Sequence, residues 1–159
     1  MLIYNGQEFG LDNDMPEEGN GRVVPRPLDW GKLTSDPGPE VFGVYQKLMK
    51  IRRENPALRT SNFHPSGWDE SKTNRDEHGF GIDRANNIVV YHRWREDGGK
   101  IERYYVVLNF SQSDRHVSFE VPNAGPWAEL LSGGSATPAG GRLSVDVPSN
   151  WGAIYFRKD

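Results

Sequence analysis

The chain has 159 residues, no cysteine and a formal net charge of -3 at neutral pH. These values exclude disulfide bonds and thiolate metal sites, and they give no electrostatic reason to expect nucleic acid or an anionic membrane as a partner. No stretch approaches the roughly 20 apolar residues that cross a bilayer. A hydrophobic fraction of 35% with 18 Gly and 11 Pro favours short elements joined by turns over a helical bundle.

The first 39 residues contain one short apolar run and a long polar stretch. Residues 1–4 run directly into the turn-forming pair Asn5-Gly6, as the last residues of a strand do. Residues 5–39 are rich in Gly, Pro, Asn and acidic residues and have no apolar period, so we predict a long loop.

An amphipathic helix is predicted over residues 40–54. Apolar side chains recur there at spacings of three and four, which places them on one helical face. The pair Asn55-Pro56 ends the helix. The apolar positions are Val41, Val44, Tyr45, Leu48 and Ile51.

From about residue 60 the apolar period changes to two, which indicates strands. Turn-forming residues separate the runs, and this pattern predicts an antiparallel sandwich or barrel. Residues 103–110 are apolar on both faces, so we expect a central strand there. The predicted strands are 88–94, 103–110, 116–121, 127–131, 142–147 and 151–156, with 80–84 as a weaker candidate.

Two regions follow from these patterns. Residues 60–159 have enough alternating strands to bury a core of their own. Residues 1–59 contain a strand stub, a loop and one helix, and these elements have no core of their own. They must pack on the sandwich, on another copy of the chain, or on polypeptide outside this sequence.

Glu8 is the one acidic residue near the start of the chain that follows a strand end directly. Barrel enzymes place their functional groups there, so Glu8 is either part of a larger sugar site or a structural hydrogen-bonding residue. The acidic residues from Asp12 to Glu18 lie in a Gly/Pro-rich loop, which is typical of a solvated surface. The four histidines lack metal-ligand spacing, and neither a metal nor a cofactor is expected.

The five tryptophans divide by their context. An indole face stacks on the apolar C–H groups of a sugar ring, and Trp68, in a polar stretch, is the best candidate for this role. Trp94, Trp127 and Trp151 lie in or beside strands and are expected in the core. Trp30 is expected to anchor the long loop on a hydrophobic surface.

Several of these segments together resemble one family. The strings NGQEFG, RPLDW, YQKLMKIRRENPALR, VVYHRW, YYVVLNFS and WAELLSGG are similar to the C-terminal portion of α-amylase-family enzymes, glycoside hydrolase family 13. Members of that family have a catalytic (β/α)8 barrel followed by an antiparallel β-sandwich. Within that family, the strings GQEFG and LDW are slightly more similar to branching-enzyme-like members, but they do not indicate a substrate.

The resemblance implies a mainly β fold. An antiparallel β-sandwich of the α-amylase C-terminal type, residues 60–159, follows a strand stub, a long loop and one α-helix left from a (β/α)8 barrel, residues 1–59. Residues 1–4 correspond to the eighth barrel strand and residues 37–54 to the eighth helix. The first seven strand–helix units are then absent from this sequence.

The resemblance also sets expectations for function. The family's three catalytic acids follow the fourth, fifth and seventh strands, and none of those motifs is present here. We therefore carry over no catalytic residue and expect the chain alone to be inert. Gln7 and Glu8 match the strand-eight motif and are expected at the wall of the sugar cleft. The parent would be a retaining α-glycosidase or α-glucan transferase.

Two alternatives stay open at this point. In the first, the sandwich stabilises the absent barrel and helps to bind an α-glucan or oligosaccharide. In the second, the chain is a self-contained carbohydrate-binding sandwich that uses Trp68 and Trp30. An unpaired strand at 1–4 beside an exposed apolar helix face predicts either mobility of residues 1–35 or association with a second copy.

Overall fold

The computed structural model of the protein describes residues 6–11, 27–66 and 74–159. The chain divides into two units, residues 1–51 and 52–159. Helix α1 spans Gly38–Glu54. The strands are β1 (Phe63–His64), β2 (Gly81–Asp83), β3 (Ile88–Asp97), β4 (Lys100–Asn109), β5 (Arg115–Glu120), β6 (Trp127–Glu129), β7 (Ser135–Ala136), β8 (Arg142–Val147) and β9 (Trp151–Lys158).

The described part of the first unit begins with a tight turn. Gly6 and Gly10 flank a 3-10 helix at Gln7–Phe9, and both glycines have positive φ angles, 89° and 69°. A Cβ atom on Gly6 would lie 2.6 Å from the Leu11 side chain, so only glycine fits at this position. The predicted strand end at residues 1–4 lies outside the described residues.

The predicted helix is confirmed, with bounds close to those expected. Its apolar face is covered unevenly, because Ile51 is buried while Leu48 and Met49 are 39% and 42% exposed. Arg59 closes the C-terminal end, since its guanidinium donates hydrogen bonds to the carbonyl oxygens of Arg52 and Arg53. These carbonyls have no partner within the helix, so Arg59 satisfies groups that would otherwise depend on water.

Residues 52–159 form two antiparallel sheets. The large sheet has the order β1-β3-β4-β9-β6-β7, with β2 also paired to β3, and the small sheet consists of β5 and β8. All seven segments predicted as strands contain one, which confirms the predicted antiparallel sandwich. The sequence analysis missed β1 and β7, because two residues are too few to show a period.

The core lies between the two sheets. Val90 and Val107 of the large sheet and Phe119 and Leu143 of the small sheet are fully buried. Trp127 is also fully buried, and its ring meets that of Tyr105 edge to face at 4.9 Å between centroids. The alternation predicted for β5 and β8 therefore places their apolar side chains inside.

Strand β4 is central, as predicted, and both of its faces are buried. Tyr105 and Val107 belong to the core between the sheets, whereas Tyr104 and Val106 lie on the opposite, outer face and are only 1% and 5% exposed. The 3-10 helix Pro56–Arg59 packs against β3 and β4. The Tyr104 hydroxyl donates a hydrogen bond to the Asn55 side chain at 2.7 Å.

Two buried polar side chains hold turns at the ends of the strands. The Asn109 amide nitrogen lies 2.9 to 3.0 Å from the carbonyl oxygens of Ser113, Val147 and Pro148. Its oxygen accepts hydrogen bonds from the backbone N–H and the hydroxyl of Ser111, at 2.9 and 2.7 Å. Asn109 therefore ties the turn after β4 to the turn after β8.

Glu129 has an equivalent role after β6. Burial by itself would raise the pKa of its carboxyl, but hydrogen bonds from Ser132, Ile154 and Leu131 outweigh burial and lower that pKa. The backbone N–H groups of Leu131 and Ile154 donate at 2.9 and 3.0 Å. The carboxylate thus fixes the turn that joins β6 to β7.

Candidate functional site

Gln7 and Glu8, the two residues of the strand-eight motif, occupy the 3-10 helix in the first unit. The Gln7 side chain is exposed, and Glu8 is half-buried. The Glu8 Oε2 atom accepts a hydrogen bond from the Gly6 backbone N–H at 3.0 Å. This contact is the structural role that the sequence left open.

Trp30, which was predicted to anchor the long loop on a hydrophobic surface, is largely exposed and contacts one buried aromatic residue. Its side chain is 64% exposed, and its ring contacts that of Phe9 at 5.8 Å between centroids. Asp29 caps the 3-10 helix that starts at Trp30 by accepting from the Gly31 N–H at 3.0 Å. Phe9 is buried and supports the indole, so most of the Trp30 surface remains free to contact a ligand.

The other tryptophans differ from one another. Trp68 lies outside the described residues, so its proposed stacking role stays a prediction. Trp127 is in the core, as expected, and Trp94 is half-buried. The expectation for Trp151 is wrong, because this residue is the first of β9 and is 45% exposed. The alternating pattern of a strand does not show whether its first residue is covered by the rest of the folded chain.

His92 is a half-buried residue of β3, and the sequence pattern does not distinguish it from the other three histidines. Burial, followed by the positive charges of His64 and Arg103, lowers its pKa to about 4. Its ring lies 4.6 Å from that of Trp94 and 5.0 Å from that of Tyr105. The buried Nδ1 atom has no hydrogen-bond partner among the described residues. A neutral imidazole here packs like an aromatic core residue.

Two features that would indicate other classes of site are absent from the described ranges. Within residues 6–11, 27–66 and 74–159, no three His, Asp or Glu side chains converge in a way that could hold a metal ion. No helix in the same ranges combines the length and apolar character required to span a membrane.

Comparison with known proteins agrees with the two-sheet architecture. Residues 81–154 match the family described as the alpha amylase C-terminal all-beta domain. The matched segment is similar to that family. It contains β2 to β8 and the first half of β9, together with the anchors Asn109 and Glu129. The resemblance to the C-terminal portion of α-amylase-family enzymes is thereby confirmed.

Similarity to whole proteins extends beyond that domain. A 1,4-alpha-glucan branching enzyme GlgB of Corynebacterium diphtheriae is 32% identical over 136 residues, which cover 82% of this chain and 16% of the relative. The GlgB of Dechloromonas aromatica is 29% identical over 158 residues, 99% of this chain and 22% of the relative. The chain thus spans about a fifth of the length of these curated relatives.

Solved structures show the same fold. An Anoxybacillus alpha-amylase superimposes with a TM-score of 0.61 at 18% identity, over 96% of this chain and 28% of its own. A cyclomaltodextrinase superimposes with a TM-score of 0.59 at 20% identity, over 96% of this chain and 22% of its own. At these identities the likeness supports the fold and not a shared substrate.

Proposed function

We propose that the chain acts as part of an α-glucan-processing enzyme of glycoside hydrolase family 13. Residues 1–59 would belong to the catalytic (β/α)8 barrel, and residues 60–159 form its companion sandwich. One observation carries this proposal: the similarity to branching enzymes covers 99% of this chain but only 22% of the relative. Both parts of the chain therefore have counterparts in an enzyme that is several times longer.

The geometry of the sandwich supports a stabilising role for it. The large sheet is apolar on its outer face as well as on its core face, and Tyr104, Val106 and Ile154 on the outer face are at most 7% exposed. An isolated two-sheet sandwich needs only one apolar face per sheet. The outer face is already covered within the chain, and the 3-10 helix Pro56–Arg59 packs there against β3 and β4. We propose that this segment, which directly follows α1, joins the sandwich to the barrel.

The chain by itself is proposed to be catalytically inert. Retaining glycosidases need two carboxylates held about 5 to 5.5 Å apart across the scissile bond. The Glu8 carboxylate accepts a hydrogen bond from the Gly6 N–H of its own turn, and we propose no catalytic role for it. Gln7 and Glu8 would then line the sugar cleft without acting on the reacting carbon.

A paired activity assay tests this proposal. The purified chain should release no reducing sugar from starch, maltotriose or pullulan, and should leave the iodine absorbance of amylose unchanged. A second protein that also includes the product of the coding sequence upstream of Met1 should be active on amylose. Turnover by the 159-residue chain above a buffer blank would contradict the proposal, as would an upstream sequence that encodes no barrel.

A second candidate function, carbohydrate binding by the chain itself, is favoured by the exposed Trp30, whose ring contacts Phe9 in the same 3-10 helix as Gln7. Calorimetry with soluble maltodextrins should then show binding that Trp30→Ala reduces at least tenfold. Met49→Ala is a matched control, because Met49 is an exposed apolar residue with no proposed contact to sugar. Equal affinity of both variants would exclude Trp30 from the site.

Self-association is also part of the proposal, because Leu48 and Met49 leave apolar surface on α1 without cover. Light scattering should detect a concentration-dependent increase in mass. The variant Leu48→Lys should remove this increase, since a charge on the shared surface resists burial. A monomer at all concentrations would contradict self-association and leave the enzyme proposal unchanged.

A further inference from the structure

The end of the large sheet at which β4 stops and β9 starts exposes two aromatic rings. Phe110 directly follows β4 and is 61% exposed, and Trp151 begins β9 and is 45% exposed. The strands pair Asn109 with Trp151, so the two aromatic residues come from neighbouring positions at this end. They are the two most exposed large apolar residues among the described residues of the second unit.

Uncharged amide residues occupy neighbouring positions at this end of the sheet. Asn87 and Asn150 are the two non-glycine residues with positive φ angles in the described ranges, 55° and 51°. Both are held by this end of the sheet, because the Phe110 N–H donates to the Asn87 carbonyl at 2.9 Å and the Asn150 N–H donates to the Ser111 carbonyl at 3.1 Å. Asparagine tolerates this conformation better than most side chains.

The amide side chains at this end have unused hydrogen-bonding capacity. Asn87, Gln112 and Asn150 are all exposed. Within the described part of the chain, none of their side-chain amides makes a hydrogen bond. Each amide offers two donors and one acceptor to a ligand. The neighbouring Asp114, by contrast, accepts a hydrogen bond from the Ser149 N–H at 3.0 Å.

We propose that this end of the sheet binds a neutral glycan chain. We call it the tip site and define it by Phe110, Trp151, Asn87, Gln112 and Asn150. Exposed aromatic faces accept the apolar C–H surface of a sugar ring, and amides pair with its hydroxyl groups. A charged ligand would need opposite charges, which the five defining residues lack, and a protein partner would need a larger apolar patch.

The geometry indicates a chain of several sugars as the ligand. Asn109 and Trp151 are paired across the two strands, so their side chains lie on the same face of the sheet. Successive residues of a strand point to opposite faces, so Phe110, which follows Asn109, lies on the other face. A glycan that crosses the end of the sheet would contact one ring on each side. Affinity should therefore increase with chain length. The choice of an α-glucan rests on the proposed function, whereas binding of a neutral glycan does not.

The test is an NMR titration of the isotope-labelled full chain with maltose, maltoheptaose and cellohexaose. Maltoheptaose should shift the amide signals of residues 86–87, 110–112 and 149–152, with an affinity at least tenfold above that of maltose. If none of the three sugars moves these signals, the tip site is refuted and the proposed function is unaffected. A preference for cellohexaose would support the site and count against an α-glucan enzyme.

Four variants refine the titration. Trp151→Ala and Phe110→Ala should each weaken maltoheptaose binding at least fivefold. Asn150→Gly keeps the positive φ angle but deletes the amide, so binding should weaken two- to threefold while thermal unfolding stays close to that of the wild type. Met49→Ala, with similar exposure to Trp151, should leave binding unchanged. Equal binding by all four variants would refute the tip site.

Discussion

Residues 52–159 bury many of their large apolar side chains, whereas the described part of residues 1–51 buries few. In the second unit, Trp127, Tyr104, Phe119 and Leu143 are less than 2% exposed. In the described part of the first unit, Phe9 and Ile51 are buried, while the exposed group comprises Trp30, Leu48 and Met49. The second unit contains its own core, and the first displays apolar surface that further protein would have to cover.

The largest expected effect comes from truncating the core tryptophan. Trp127→Ala should lower the free energy of unfolding by about 3 to 5 kcal/mol, because it removes a fully buried indole and leaves a cavity. Trp30→Ala, the matched change in the first unit, should cost less than about 1 kcal/mol. Urea denaturation followed by circular dichroism measures both. Similar costs would invalidate the contrast between the units.

The second-largest loss of stability is expected on changing Asn109, the buried amide that joins two turns. Asn109→Ala should destabilise the chain by roughly 2 to 4 kcal/mol, because it leaves buried carbonyl groups and the Ser111 N–H without partners. Asn87→Gly is the control, since Asn87 is exposed and its positive φ angle suits glycine. Denaturation midpoints of the two variants should differ clearly. If they coincide, the hydrogen bonds of Asn109 do not contribute to stability.

A pH-dependent contribution of intermediate size is expected from His92. Its pKa is about 4 in the folded protein, against an ordinary value of 6.5 for histidine, so the unfolded chain binds the proton first. Stability should therefore fall as pH decreases from about 6.5 to 4, by on the order of 2 kcal/mol after allowance for the partial exposure of the ring. His92→Phe should lose this dependence in urea titrations at pH 7 and 4.5.

His78 provides the opposite control for that measurement. A hydrogen bond to Glu120 and the charge of Glu120 raise the His78 pKa, so protonated His78 favours the folded state below about pH 6.5. His78→Gln should consequently destabilise the chain slightly at low pH, with no change at high pH. A parallel response of the two histidine variants would contradict both assignments.

The smallest effect is expected at Glu8. Glu8→Ala removes the hydrogen bond to the Gly6 N–H, and a single partly exposed contact of this kind contributes about 0.5 to 1 kcal/mol. The measurement is the same urea denaturation. A loss above about 2 kcal/mol would mean that the turn at residues 6–10 is central to the stability of the chain.

Periodicity allowed prediction of most of the fold. The helix and seven strand segments repeat apolar residues often enough to be recognised, and the double-sided pattern of 103–110 identified the central strand. Local pattern could not identify the functions of Asn109, Glu129 and Arg59, because each depends on partners brought together by folding. The same limit explains why the exposure of Trp151 was not predicted, because it depends on which parts of the folded chain cover the start of β9.

The candidate site was predictable only in part. Gln7 and Glu8 were predicted from a family motif and stay a prediction, and the structure adds a local hydrogen bond that the motif does not encode. Phe110 gave no signal, because a single aromatic residue at the end of a strand resembles any other apolar strand residue. Its exposure follows from the turn at residues 110–113, which Asn109 holds in place.

The burial of Asn109 has a practical consequence for producing the protein. Residues 109–111 read Asn-Phe-Ser, which fits the acceptor pattern for N-linked glycosylation. Folding encloses that amide, so an oligosaccharyltransferase could reach it only on a nascent, unfolded chain. In a secreting eukaryotic host, any glycan attached there would prevent the two turns from closing, and a bacterial cytoplasm is the safer choice for expression.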